Sequence, residues 1–184
     1  EDEQGNLWIL YGKQYHEISA IDIFNPITKQ LQSFSTYISA PLPFSIHEIS
    51  AIAFSPVHGL FLGFKNGKVY RYQSGKISEF AHVEAESPIA QIYLLENGSC
   101  WILTTHDLFY LSEQGENTKR IHIKASVGKI LGVDPMGRPV CFARNPLVKK
   151  ANAHLYAGNS HLAKLPMQSA AVFGVDAVHN KVYL

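Results

Sequence analysis

Apolar residues along this chain recur with a period of two or in short runs, and turn residues bound nearly every run. The second unit of the pattern is the clearest. Residues 49–54 read as a strand, 55–59 as a turn, 60–64 as a second strand, and Lys65-Asn66-Gly67 as a tight turn. Residues 68–72 then alternate, Gln73-Ser74-Gly75 turns the chain, and 76–80 close the unit. A third unit repeats this with strands predicted over 89–95, 100–104, 107–111 and 120–123. A fourth does so over 129–133, 139–143, 154–156 and 161–165. No stretch carries a helical stripe, and the best helix candidate, 146–153, reads as a long loop.

The units align on a bulky central residue: Trp8, Phe61, Trp101, Val140 and Tyr183, spaced by 53, 40, 39 and 43 positions. The long first interval comes from an insertion around 36–46 that holds Pro41 and Pro43. Four short strands in about 40 residues is the pattern of a β-propeller blade. Each such sheet has two apolar faces, which stacking on its neighbours buries. The expected fold is therefore all-β: a partial β-propeller of about four blades, each a four-stranded antiparallel sheet. The units run approximately 1–45, 46–87, 88–126, 127–170 and 171–184. The first lacks its opening strand and the last holds two, so the chain reads as an excerpt of a larger propeller. Its open blade faces and strand edge lead us to expect self-association or domain exchange. Trp8, Phe61 and Trp101 are expected to pack between blades.

Two stretches carry a more specific likeness. Glu1-Asp2-Glu3-Gln4-Gly5-Asn6-Leu7-Trp8-Ile9 resembles the two-component regulator propeller repeat. So does the third unit, through Ile89, Ile92, Gly98, Trp101, Ile102, Thr104 and Leu108, with Cys100, Leu103 and Asp107 departing from the pattern. The resemblance implies the extracytoplasmic, periplasmic sensor region of a hybrid two-component histidine kinase. In that family two seven-bladed propellers are commonly followed by a β-sandwich, a membrane helix and the kinase. The implied task is signal transduction by sensing, often of a glycan fragment. Repeat residues of that family are structural, so no ligand-binding residue carries over. WD40 and kelch arrays fit less well, because both Trp residues precede Ile and no Gly-Gly doublet occurs.

Composition narrows the partners. The chain has 184 residues, 16 Lys+Arg against 15 Asp+Glu, and a formal net charge of +1. That balance argues against a nucleic-acid binder. The longest apolar run, Leu7 to Tyr11, is far short of the roughly 20 residues of a membrane helix. Cys100 and Cys141 both sit in apolar runs and read as buried free thiols. No hydrolase elbow, zincin, phosphate-loop or calcium-loop motif is present, so neither a cofactor nor a metal is expected. None of the nine His residues pairs with a Cys or a second His at ligand spacing on one element. Asn97-Gly98-Ser99 is formally a glycosylation sequon that a tight turn explains.

The even net charge hides an uneven distribution. Residues 1–50 hold six acids and two bases, whereas 119–150 hold eight bases and one acid, Asp134. A basic flank of that kind concentrates anions such as an acidic sugar. In a propeller the loop between second and third strands reaches the face that carries the inter-blade links. Tyr11, Tyr15, His16, Lys65, His106, Asp107, Arg144, Lys149 and Lys150 occupy such loops and are the predicted ligand contacts. The function expected is non-enzymatic ligand sensing with an oligosaccharide or other small ligand. The alternatives are a protein-interaction scaffold, or an excerpt of a propeller-type glycan lyase or hydrolase.

Overall fold

The computed structural model describes residues 4–12, 18–38, 41–123, 126–144, 153–165, 174–176 and 181–183. Within them every sheet is antiparallel and its strands are neighbours in chain order. The first sheet joins β1 (Leu7–Gly12), β2 (Ile18–Asn25) and β3 (Gln30–Ser33). The second joins β4 (Ile49–Ser55), β5 (Gly59–Phe64), β6 (Lys68–Gln73) and β7 (Lys76–His82). The third joins β8 (Gln91–Leu94), β9 (Cys100–Leu103), β10 (Asp107–Leu111) and β11 (Asn117–His122). The fourth joins β12 (Ser126–Val133), β13 (Pro139–Arg144), β14 (Ala153–Ala157) and β15 (Ser160–Leu165). A two-stranded sheet of β16 (Gly174–Asp176) and β17 (Lys181–Tyr183) follows. This is a partial propeller with a first blade of three strands.

Three apolar cores seal the seams between consecutive blades. Alternation along each strand decides which residue enters which seam. On β5, Leu60, Leu62 and Phe64 face the first blade, while Phe61 faces the third. On β9, Cys100 and Ile102 face the second blade, and Trp101 and Leu103 face the fourth. The aligned bulky residues Phe61 and Trp101 thus both point toward the following blade, as does Trp8. Gly63 lets the strands of the second and third blades meet: a Cβ there would lie 2.8 Å from Ile89 Cγ2. His58 closes the same seam at its other end, with Nε2 3.0 Å from the Glu96 carbonyl and the ring against Gly98.

One element departs from the predicted all-strand pattern. After β3 the chain turns into a short helix, α1 (Phe34–Ile38), instead of continuing as a full outer strand. Phe34 and Ile38 lie on one helix face and are buried in the seam between the first two blades. One turn and a half is too short to produce a readable helical period, which is why the sequence shows none. A 3-10 turn (Ile46–Glu48) leads into β4, capped by Ser45, whose backbone N–H donates to the Glu48 carboxylate. The long loop predicted over 146–153 lies, except for Ala153, outside the described residues.

Candidate functional site

The turns between second and third strands share one end of the stack with the inter-blade links, and backbone hydrogen bonds knit them together. The Val83 N–H donates to Gly67 O, Ile123 to His106 O, and Val127 to Thr105 O. Lys65 is exposed in the β5–β6 turn, and its N–H donates to Glu48 O. His106 is exposed in the β9–β10 turn.

Asp107, which opens β10, behaves differently. Pairing of β10 with β11 sets it opposite His122, with Phe109 opposite Arg120, so all four side chains share the face turned toward the second blade. Arg120 grips the carboxylate with two forked bonds, Nε to Oδ1 and Nη2 to Oδ2, both 3.1 Å. His122 Nδ1 lies 3.0 Å from Oδ1. The guanidinium also rests over the Phe109 ring, 5.4 Å from its centroid. Burial alone would raise the Asp107 pKa. Hydrogen bonds from Arg120 and His122 outweigh that, and the carboxyl is held below its usual value. An ionised, buried carboxylate with both oxygens engaged braces the turn; it is poorly suited to exchange protons with a substrate.

Of the other predicted contacts, His106 lies beside this brace, its ring 6.2 Å from that of His122. Tyr11, near the end of β1, is exposed and gives its hydroxyl to Asp22, which raises the phenol pKa. Arg144 ends β13, and its side chain lies outside the described residues, as do Tyr15, His16, Lys149 and Lys150. The basic stretch is largely engaged where it is described. Arg120 holds Asp107, Arg138 holds Asp134 at 2.7 Å, and Lys119 lies over the Trp101 ring at 5.9 Å.

The opposite end of the stack offers a cleft. It opens at the seam between the first and second blades, has a volume of about 80 Å³, and is walled by Trp8, Tyr37, Phe54 and Tyr72 with Gln4 and Gln73 at its rim. Helix α1 creates it by carrying Tyr37 between the blades, where its ring lies 5.8 Å from Trp8 and 6.3 Å from Tyr72. The Tyr37 hydroxyl donates to Gln4 Oε1 at 3.1 Å, and Gln73 Nε2 donates to Val57 O at 3.1 Å. Trp8 is thus only half-buried, unlike Phe61 and Trp101. Sequence reasoning missed Tyr37 and Tyr72. Tyr72 alternates within an ordinary strand, and Tyr37 lies in the proline-bearing insertion, whose one signal is its aromatic content.

Cys100 and Cys141 are free and buried, in different seams, and burial pushes each thiol up to about 12. That makes them inert hydrophobes. Among the described residues no group of three or more His, Cys, Asp or Glu side chains is placed to hold a metal ion, and no helix is long and apolar enough to cross a membrane.

No known protein family matches this sequence, and no curated protein matches it. Solved structures do resemble the fold. Hydrazine synthase of Kuenenia stuttgartiensis superposes with a TM-score of 0.61 at 10% identity, over 90% of this chain and 47% of that one. A catalytically inactive virginiamycin B lyase from Staphylococcus aureus gives 0.58 at 11%, over 91% and 54%. Dipeptidyl peptidase 4 of Porphyromonas gingivalis gives 0.51 at 15%, over 84% and 24%. The chain spans from about a quarter to about half the length of these proteins. At such identities the likeness is one of fold, and it is a propeller likeness.

Proposed function

We propose that this chain is a ligand-binding, non-enzymatic stretch of an extracytoplasmic sensor propeller of the two-component type. In this reading the cleft between its first two blades takes one ring of a glycan fragment. The observation that carries the reading is the wall of Trp8, Tyr37 and Tyr72 with amide side chains at its rim. Aromatic faces pack against the C–H face of a sugar, and amides meet its hydroxyls. A volume of about 80 Å³ is far below the several hundred of an enclosing pocket, so a ring of a longer chain would lie against the aromatic wall, partly inserted, and not be enclosed. A ligand wedged at a seam favours one blade arrangement over another, which is the differential affinity a sensor needs. The periplasmic location and the downstream kinase rest on the resemblance of the repeats.

The test is a calorimetric titration with neutral and acidic oligosaccharides. Saturable binding that Tyr72→Ala weakens by about tenfold and Lys65→Ala leaves intact supports the cleft. No binding across the panel, or loss in Lys65→Ala alone, removes it. Turnover of any glycan removes the non-enzymatic part. A second reading, a docking scaffold, is favoured by the exposed apolar side chains of β1, among them Leu7, Ile9 and Leu10.

A further inference from the structure

The hairpin of β14 and β15 brings together two histidines that lie seven residues apart in sequence. A turn at Gly158 and Asn159 reverses the chain, and a bulge between Leu155 and Tyr156 shifts the register. His154 Nδ1 and His161 Nε2 end 2.9 Å apart, with ring centroids separated by 5.1 Å. Tyr156 flanks them, its ring 5.4 Å from that of His161. His154 is half-buried and His161 exposed, so the pair is open to solvent.

A neutral imidazole holds one N–H and one lone pair, so two facing nitrogens at this distance share a single proton between two lone pairs. A divalent metal accepts both. With bonds of about 2.0–2.1 Å, two imidazole nitrogens at right angles around one ion are about 2.9 Å apart, and at the tetrahedral angle about 3.4 Å. The observed separation falls at the lower of these limits, so the backbone of the hairpin need not open, and rotation of the two rings turns their lone pairs onto a common ion.

We propose that His154 and His161 form a two-histidine site for a borderline divalent cation, Cu²⁺ in preference to Ni²⁺ or Zn²⁺. Imidazole pairs suit these ions, and affinity follows the general order that places copper highest. Because no cluster of three ligands exists among the described residues, water completes the coordination, and the site is an open one. The bound ion ties the outer strand β15 to β14. Nothing in this proposal depends on the glycan reading.

The experiment is a titration of the tag-free 184-residue chain with CuCl₂, followed by calorimetry and by electron paramagnetic resonance for nitrogen ligation. One equivalent binding at micromolar concentration with two-nitrogen hyperfine structure is expected. His154→Ala and His161→Ala should each weaken it about tenfold or more, because the chelate is lost. His122→Ala should leave it unchanged, and circular dichroism of each variant establishes that it is folded. Saturation only at millimolar copper overturns the proposal. So does binding that survives the double variant His154→Ala/His161→Ala.

Discussion

Strands β1 and β5 are written in the same code and meet opposite fates. Leu7-Trp8-Ile9-Leu10-Tyr11-Gly12 is at least as apolar as Gly59-Leu60-Phe61-Leu62-Gly63-Phe64. Yet β5 is buried along its whole length, while Leu7, Leu10 and Tyr11 of β1 are exposed by 43%, 47% and 43%. The difference is the neighbourhood. β5 has a strand on either side and a blade on either face. Among the described residues β1 pairs with β2 alone, and of its side chains only Trp8 packs into a core. Hydrophobic periodicity reports what a strand is able to bury; the stacked neighbour decides whether it does so.

The contrast is sharpest under truncation. Phe61→Ala empties a filled seam and is expected to cost about 3–5 kcal/mol, whereas Ile9→Ala on β1 should cost well under 1 kcal/mol. Urea unfolding of both variants checks this, and similar costs would erase the distinction between sealed and open strands. Overpacking comes next. Gly63→Val must displace Ile89 and Ile92 and should cost about 1–3 kcal/mol or more. The same measurement on Gly75→Ala, where nothing lies within 4 Å of the added carbon, reports the strain of a positive φ without a clash.

The polar brace on the sealed side gives a smaller and pH-dependent effect. Asp107 and Asp134 are each held below their usual pKa: burial raises both values, but hydrogen bonds from Arg120 and His122, and from Arg138 and Met136, prevail. A depressed carboxylate contributes stability above its unfolded pKa of about 3.9 and loses it as pH falls through the lower folded value. Stability should therefore fall below about pH 4. Asp107→Asn should be less stable at pH 7 and flatter in that acid range, as read by thermal melts across pH. The smallest effect lies on the open strand. Leu7→Ser with Ile9→Ser should change stability by about 0.5 kcal/mol or less. It should reduce self-association in sedimentation velocity if those side chains are the contact.

The blades were legible because the strands alternate or run apolar and most turns carry a glycine, as at Gly67 and Gly98, where φ is +82° and +84°. What stayed hidden depends on pairing across strands or on a feature too short to repeat its period. The Asp107 brace needs Arg120 and His122 from β11, whose register a bulge at Tyr110 and Leu111 sets. The nearness of His154 to His161 depends on the pairing of Tyr156 with His161 across the hairpin, which sets His154 diagonally opposite. The cleft depends on a five-residue helix that no periodicity announces. In sequence Asp107 reads as a ligand contact on a loop; in the structure it is buried and held by Arg120 and His122 as a brace.

Hydrogen exchange, resolved strand by strand on the dilute chain, tests the contrast most directly. Amides of β5 and β9 should exchange slowest, near the rate of global unfolding, and those of β1 much faster. Protection of β1 equal to that of β5 under these conditions would contradict the account.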